Sequence, residues 1–451
     1  MNFANIFSSY WVRSAFFSIL QRFVLILFGF LNFFLLIRGL SIPQMGVWAL
    51  FLTIVTIFEN TKTGLLKNAH IKFVTTTQDN DAKAAIASSS LLINLLITAC
   101  GIIAIIFTGK QIGIFFNSEE ELYTVLVWFI PGLICMIFFS HLEAVQNSHF
   151  DFKGAFAGNL VRQVCFFIAI ITHFVLKKPL NMQLLGIYQS FSILAGTIVL
   201  FLFSKKYLFL KFNPSVQWIK QIINYGGYIF FTGVVSNLYS NIDQFMTAAI
   251  IPGSIAFYNA AKRINNFIDI PTYTAADILF PKMSLASMEE GISKIKYFYE
   301  KMVAAIFAII IPISVLVIIF AKPIVHIIAG PAYNSSFPIL QGYMIISIIG
   351  VIQHQASIAF YSIGKTKLCF ILNSVQLLLN LSIAFVCLKL FGFYGAVIGA
   401  LITALINIII WMYFIKKEIN PSFRQIPVYS KEYYLTVIST IKKFRSFKKP
   451  N

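Results

Sequence analysis

The chain has 451 residues, of which 58% are hydrophobic and only 11% are charged, and its formal net charge is +19. Soluble domains carry about 25% charged residues and could not bury this much apolar surface. The mean hydropathy of +0.81 therefore excludes an ordinary soluble domain and indicates an integral membrane protein. The five cysteines include no C-x-x-C pair, which argues against a redox or metal site.

Apolar segments long enough to cross a bilayer, which takes about 20 residues, recur along the whole chain. The first six predicted spans cover residues 14–37, 45–66, 84–107, 122–146, 155–176 and 183–203. The second six cover residues 225–250, 255–280, 297–320, 337–362, 367–390 and 393–415. The sequence therefore predicts an all-α integral membrane protein with about twelve transmembrane helices.

The predicted spans divide into two lobes of six helices. We predict an N-terminal lobe (1–204), a cytoplasmic linker (205–224), a C-terminal lobe (225–415) and a basic tail (416–451). The lobes are weakly similar in sequence, and Glu59 of the second span aligns with Asp269 of the eighth. Most Lys and Arg residues outside the spans lie on the side of the N-terminus, so both termini are expected in the cytoplasm. The tail is expected to bind anionic lipid, with binding of a partner protein as the alternative.

Charged side chains within the predicted spans are the strongest indication of a functional site. Each costs about 2.5–3.5 kcal/mol at a helix centre and so usually faces a bundle interior or a wet cavity. The candidates among them are Arg22, Glu59, Lys62, Asp243, Lys262, Arg263, Asp269 and Asp277. All of these except Arg22 belong to the second, seventh and eighth spans.

Polar residues in the eighth span recur every three or four positions and therefore share one helical face. They are Asn259, Lys262, Asn266, Asp269 and Tyr273, and Asp277 continues the stripe. The seventh span adds Asn237 and Asn241 on one face. Pro271 falls inside the stripe, where a transporter helix can bend. We interpret these polar faces as the lining of a common cavity.

The buried polar residues allow two interpretations. Interhelical hydrogen bonds and ion pairs could simply hold the bundle together, at about 0.6–2 kcal/mol each. For the set as a whole we favour a substrate cavity, in which cations bind an anionic headgroup. The candidate cations are Arg22, Lys62, Lys262 and Arg263. The acids Glu59, Asp243, Asp269 and Asp277 would pair with these cations or take up a coupling Na⁺ or proton.

Motifs for enzymatic chemistry are weak or absent. No P-loop (G-x-x-x-x-G-K-[ST]) occurs, so we do not expect ATP hydrolysis. The sequence Asp79-Asn80-Asp81 matches a D-x-D metal motif, but in a short polar loop it is better explained as a solvated turn. We therefore expect no catalytic residues, no cofactor and no metal. The positive charge is explained by membrane topology rather than by nucleic-acid binding.

Several segments carry a family resemblance. The first loop and the second span contain Arg38-Gly39-Leu40-Ser41 and Gly46-Val47-Trp48-Ala49-Leu50. Later segments are Tyr225-Gly226-Gly227, Asn241-Ile242-Asp243-Gln244, the run from Phe257 to Arg263 and the run from Leu279 to Ser284. The aromatic and basic segment from Gln146 to Phe156, which leads to Arg162, also carries the resemblance. Together these segments resemble the oligosaccharide-lipid flippases of the Wzx type, also called polysaccharide biosynthesis proteins.

This resemblance implies two six-helix lobes around a central cavity, as in the lipid II flippases and MATE exporters of the same superfamily. It implies transport of an undecaprenyl diphosphate-linked oligosaccharide across the bacterial inner membrane, for O-antigen, capsule or exopolysaccharide synthesis. The four cavity cations would hold the diphosphate. Membrane lipids and other polysaccharide-assembly proteins are the expected partners. The alternative is a MATE-like exporter of small cationic compounds driven by Na⁺ or H⁺, whose site should be net acidic.

Overall fold

The computed structural model describes residues 10–149, 151–208, 212–251, 253–273, 283 and 291–446. Within these ranges the chain is helical and contains no strand. The chain divides into two compact units, Met1–Leu238 and Tyr239–Asn451, with the boundary inside a helix. The all-α fold predicted from the sequence is confirmed, whereas the four predicted domain boundaries stay a prediction.

The helices of the first unit follow one another with short connections. They are α1 (Tyr10–Gly39), α2 (Ile42–Thr76), α3 (Asn80–Phe115), α4 (Glu119–Trp128), α5 (Ile130–Ser148), α6 (Lys153–Val175) and α7 (Met182–Ser204). A 3₁₀ turn, Lys205–Tyr207, follows α7. The next helix, α8 (Val216–Ile250), crosses the boundary between the units.

The helices of the second unit follow α8. They are α9 (Ile255–Ile268), α10 (Ile292–Ile319), α11 (Ala321–Ala329), α12 (Phe337–Ser362), α13 (Thr366–Phe391), α14 (Gly395–Glu418) and α15 (Gln425–Ser446). The 3₁₀ turns Pro331–Ser336 and Gly392–Tyr394 precede α12 and α14.

Eight segments of the described residues are long and apolar enough to cross a membrane, or nine if one bent pair is counted. That pair is α4 and α5, bent by 45° where the sequence predicted one continuous span. One of the eight segments, Thr366–Glu418, contains both α13 and α14. Because part of the eighth predicted span lies outside the described residues, the number of about twelve spans stays a prediction. The cytoplasmic positions of the termini also stay a prediction.

Local sequence explains where two helices of the first unit begin. Ser41 caps α2 by accepting a hydrogen bond from the Gln44 amide at 3.4 Å, and Gln44 Oε1 accepts one from the Ser41 amide at 3.2 Å. This reciprocal capping box satisfies amides that have no partner inside the helix. Asp79 caps α3 by accepting from the amides of Asp81 and Ala82, both at 3.1 Å. The D-x-D sequence thus supplies a helix cap.

Glycines allow α6 and α7 to pack closely in the first unit. A Cβ atom on Gly196 would lie 2.7 Å from the carbonyl oxygen of Gly158 and 2.9 Å from Cβ of Arg162. Small residues that let two helix backbones approach are typical of contacts between membrane helices. The close α6–α7 contact therefore depends on glycine, which has no side chain, at position 196.

The second unit contains a buried core of α10, α12, α14 and α15. Phe360 stacks on Trp411 with ring centroids 5.9 Å apart, and both rings are buried. The tail helix α15 packs on α10, where the Ser430 hydroxyl donates to the Ala304 carbonyl at 2.9 Å. The sequence predicted this segment only as a basic tail. Its packing against the second unit was not predicted. Lipid binding by the tail stays a prediction.

Replacing Gly196 should test the α6–α7 contact. Gly196→Ala should destabilise the purified full-length protein by about 1–3 kcal/mol, because the added methyl group meets backbone atoms. Gly29→Ala in α1, where nothing lies within 4 Å of the new methyl group, is the matched control and should be neutral or slightly stabilising. Thermal unfolding in detergent measures both variants. Equal melting temperatures would contradict this packing account.

Candidate functional site

A buried ion pair lies at the centre of the first unit. Lys62 Nζ lies 2.8 Å from Glu59 Oε1, one helical turn earlier on α2. Lys62 also donates to Thr98 Oγ1 on α3 at 3.3 Å. The exposed fraction is 1% for Lys62 and 7% for Glu59. Two predicted site residues are therefore brought together, and in this conformation each neutralises the other.

A second set of charges surrounds Glu143 on α5. Glu143 Oε1 accepts a hydrogen bond from Gln21 on α1 at 3.3 Å and lies 3.4 Å from Lys67 Nζ on α2. Arg162 on α6 interacts electrostatically with the carboxylates of Glu59 and Glu143. Charged residues of α2, α5 and α6 thus form one network with the Glu59–Lys62 pair, and Gln21 adds a hydrogen bond from α1.

Two other predicted site residues of the first unit lie apart from this pair. The Arg22 side chain is exposed on α1. Asn237 on α8 donates to the Gly233 carbonyl at 2.8 Å and accepts a hydrogen bond from Asn60 at 3.4 Å. Asn237 therefore links α8 to α2 through amide groups.

The second unit contains its own ion pair, which is partly buried. Lys262 Nζ on α9 lies 3.7 Å from Asp243 Oδ1 on α8. Lys262 also donates to the Ser240 carbonyl and, at 3.3 Å, to Asn241 Oδ1. Tyr343 on α12 donates its hydroxyl hydrogen bond to Asp243 Oδ2. Three helices therefore meet at Asp243, and three predicted residues, Asp243, Lys262 and Asn241, lie together.

Asp269 belongs to a separate hydrogen-bonded group. Helix α9 ends at Ile268, three residues before Pro271, so Asp269 lies in the turn that follows. Asp269 Oδ2 accepts from Asn265 Nδ2 at 2.7 Å, and Asn265 Oδ1 accepts from Ser347 Oγ on α12 at 2.9 Å. Helix α9 thus ends close to Pro271, where the sequence predicted a bend.

The remaining predicted residues differ in exposure. Asn259 is buried, whereas Asn266 and Tyr273 are exposed, and the Tyr273 ring contacts His354 at a centroid distance of 5.0 Å. Arg263 is partly buried, and no other described residue pairs with it. Asp277 lies outside the described residues.

Sequence reasoning missed several members of these networks. Glu143 falls inside the predicted span 122–146, so its charge alone could have indicated a partner. Arg162 lies within α6 and also inside the predicted span 155–176, so its charge likewise could have indicated a partner. Tyr343, Asn265 and Ser347 are common residue types, and only the tertiary structure reveals their contacts. The described residues contain no group of three His, Cys, Asp or Glu side chains that could hold a metal ion.

The fold of the described residues matches solved transporters. The chain is similar to the lipid II flippase MurJ in an inward closed conformation, with a TM-score of 0.77 at 16% identity, covering 97% of this chain and 94% of that one. It is also similar to an inward-facing MATE family transporter of the MOP superfamily, with a TM-score of 0.75 at 14% identity. That match covers 90% of this chain and 96% of the other. At such identities the likeness shows the fold alone. The chain is thus a multi-pass, all-α membrane protein with the fold of this transporter superfamily.

The sequence profile of the family described as "Polysaccharide biosynthesis protein" matches residues 35–338, more than half of the chain. The chain belongs to that family, as the sequence resemblance predicted. It is 21% identical over 198 residues to a candidate O-antigen transporter of Shigella flexneri, covering 43% of this chain and 47% of that protein. It is 22% identical over 257 residues to a candidate low-salt glycan biosynthesis flippase of Haloferax volcanii, covering 56% of this chain and 53% of that protein. The chain spans about half the length of the curated relatives it matches.

Breaking the Glu59–Lys62 pair should be more harmful than removing it. Lys62→Met leaves a buried carboxylate without its partner and should cost about 3–5 kcal/mol of stability. The double variant Glu59→Leu/Lys62→Met, which removes both charges, should recover most of that loss. Thermal unfolding of the full-length protein in detergent measures both. A double variant no more stable than Lys62→Met would show that the pair is not the stabilising feature.

Proposed function

We propose that the chain is a flippase that moves undecaprenyl diphosphate-linked oligosaccharide repeat units across the bacterial cytoplasmic membrane. The proposal rests on the family match over residues 35–338, which extends from the first unit into the second. It is supported by the names of relatives and structural neighbours, which describe transport of O-antigen, a glycan biosynthesis flippase and a lipid II flippase. The product would be a surface polysaccharide such as an O-antigen, a capsule or an exopolysaccharide.

The charges of α9 suit an anionic headgroup. Lys262 and Arg263 are consecutive, both are only partly buried, and 19% of the Lys262 side chain is exposed. A guanidinium offers a planar fork of donors to phosphate, and an ammonium offers a mobile point charge. A diphosphate approaching α9 could therefore bind Arg263 directly and compete with Asp243 for Lys262.

The Lys62 ammonium is a different kind of cation. It is buried and already bound by Glu59, so a substrate could reach it only after the pair opens. We propose that Lys262 and Arg263 make the first contact with the diphosphate in the conformation described. Lys62 would contribute in a later state of the cycle.

The alternative is export of small cationic compounds coupled to Na⁺ or H⁺. Its specific support is the pair of carboxylates Asp243 and Asp269 in the second unit, together with the fold likeness to a MATE transporter. The Asp243–Lys262 pair weighs against it, because the tethered ammonium neutralises the carboxylate that an organic cation would need. The balance of charge therefore favours an anionic substrate.

Deletion of the gene in its own host should separate the two functions. If the chain is a flippase, complete lipid-linked repeat units should accumulate and the surface glycan should disappear, as measured by mass spectrometry of both pools. The intact gene should restore export, and Lys262→Gln/Arg263→Gln should reduce it at least tenfold, because about 1.4 kcal/mol of lost phosphate binding already has that effect. Lys389→Gln, which removes an exposed lysine on α13, is the matched control and should export normally.

One outcome would contradict the flippase proposal, and another would contradict only the proposed role of Lys262 and Arg263. One is an unchanged surface glycan together with increased sensitivity to cationic dyes, which would support the exporter. The other is normal export by the double variant at normal protein levels, which would remove Lys262 and Arg263 from substrate binding.

A further inference from the structure

The open face of α9 continues beyond Arg263 with neutral polar residues. Asn266 follows Arg263 by three residues, so it lies about one helical turn, roughly 5 Å, further along the axis. Tyr273 follows seven residues later, in the segment after α9. Both side chains are exposed. Polar side chains within an apolar span usually face a bundle interior or a wet cavity, so this face is accessible to the part of a substrate next to its diphosphate.

The Tyr273 ring is held in place by α12 but is not covered by it. It meets the His354 ring nearly at right angles, with centroids 5.0 Å apart. The preceding residue, Thr272, accepts a hydrogen bond at its carbonyl from Gln355 Nε2 at 3.3 Å. Tyr273 nevertheless remains 52% exposed. A positioned aromatic ring with an open surface can pack against a ligand and bind it through the phenol hydroxyl as well.

A pair of side-chain amides lies beside His354. Gln353 on α12 donates to Gln376 Oε1 on α13 at 2.5 Å, and Gln376 donates back to Gln353 Oε1 at 3.3 Å. Tyr239 on α8 also hydrogen-bonds to Gln376. An amide has two donor hydrogens and an oxygen with two lone pairs, so Gln353 retains a donor and an acceptor for another partner. Because Gln353 is only partly buried, these groups are within reach of a ligand that packs on Tyr273.

Two buried oxygen atoms next to Tyr273 lack partners. Gln355 is 0% exposed and Thr272 is 6% exposed. No described residue hydrogen-bonds to Gln355 Oε1 or to Thr272 Oγ1. Buried polar atoms are normally paired with protein groups, with ordered water or with a ligand. Hydroxyl groups of water or of a ligand would therefore be favourable beside the Tyr273 ring.

The chemistry of this face suits a carbohydrate better than an ion or a hydrocarbon chain. Amides and phenols donate and accept hydrogen bonds without carrying a net charge, and sugar hydroxyls do the same. A sugar ring also has C–H groups that pack on the face of an aromatic ring. A phosphate would instead bind the cations Lys262 and Arg263, and a hydrocarbon chain would leave the amides unpaired.

We propose that Asn266, Tyr273 and Gln353 bind the oligosaccharide of the substrate and help to select it. The proposal rests on the flippase function proposed above and extends it from the diphosphate to the sugars. Tyr273 packs on a sugar ring, and the amides of Asn266 and Gln353 hydrogen-bond to its hydroxyls. Arg263, one turn before Asn266, holds the diphosphate to which the first sugar is joined. A site that hydrogen-bonds to substrate hydroxyls discriminates strongly against analogues that lack them.

Competition between two lipids for the purified full-length protein would test this site. The probes are undecaprenyl diphosphate and its oligosaccharide-linked form extracted from host membranes, and native mass spectrometry measures the bound ratio. The wild type should prefer the oligosaccharide-linked form by about tenfold, equivalent to roughly 1.4 kcal/mol. Tyr273→Leu and Asn266→Leu should each lose most of that preference without weaker binding of the bare diphosphate. Arg263→Gln should weaken binding of both lipids.

Two control variants separate sugar binding from folding. Tyr273→Phe keeps the ring and should keep most of the preference, and Tyr413→Leu, at a 64% exposed tyrosine of α14, should keep all of it. Equal binding of both lipids by the wild type, or full preference in a folded Tyr273→Leu variant, would overturn the proposal.

Failure of the flippase function would give a different result, in which the wild type binds neither lipid. Saturation-transfer nuclear magnetic resonance with the free repeat-unit oligosaccharide, released from the host surface glycan, would then still decide the sugar site. Signal transfer to the oligosaccharide that is lost in Tyr273→Leu would support the site, whereas no transfer from the wild type would overturn it.

Discussion

An ionised side chain inside an apolar helical bundle is stable only if another group compensates its charge. Both units follow this constraint with an acid and a lysine. In the first unit the pair is Glu59 and Lys62, on one helix and almost fully buried. In the second unit it is Asp243 and Lys262, on two helices and less enclosed. The second pair also joins α8 to α9.

The same constraint gives the pairs a functional meaning. A buried pair is weak support for stability, because well-packed apolar residues of similar size often serve as well. Its advantage is that it can exist in two arrangements, closed on itself or opened to a third charge. For the lysine of either pair, the diphosphate of the proposed substrate would supply that charge.

The helices were largely predictable because each span is a long apolar segment with a polar break. The predicted span 337–362 coincides with α12, and the predicted span 367–390 differs from α13 by one residue at each end. The bend between α4 and α5 was not predicted, because hydropathy is insensitive to helix direction. The packing of α15 on α10 was also not predicted, because its basic residues led to its interpretation as a tail.

The candidate site was predictable only in part. Charge inside an apolar span indicated Asp243 and Lys262 as candidate residues, and the structure places their charged groups 3.7 Å apart. The assumption of one straight stripe failed at Asp269, because α9 ends before it and its partner became Asn265. The contact between the rings of His70 and His141, whose centroids lie 5.5 Å apart, was also not predicted, since the two residues lie 71 positions apart in the sequence and only tertiary packing brings them together.

Transbilayer movement in a purified system tests the central claim most directly. Proteoliposomes containing the chain would carry a fluorescent undecaprenyl diphosphate-linked oligosaccharide in the inner leaflet, and a membrane-impermeant quencher outside would report its arrival. The account predicts quenching that depends on the protein and is slowed by unlabelled lipid-linked oligosaccharide but not by small organic cations. Quenching of the lipid-linked probe no faster than in protein-free liposomes, together with uptake of a cationic dye, would contradict the account.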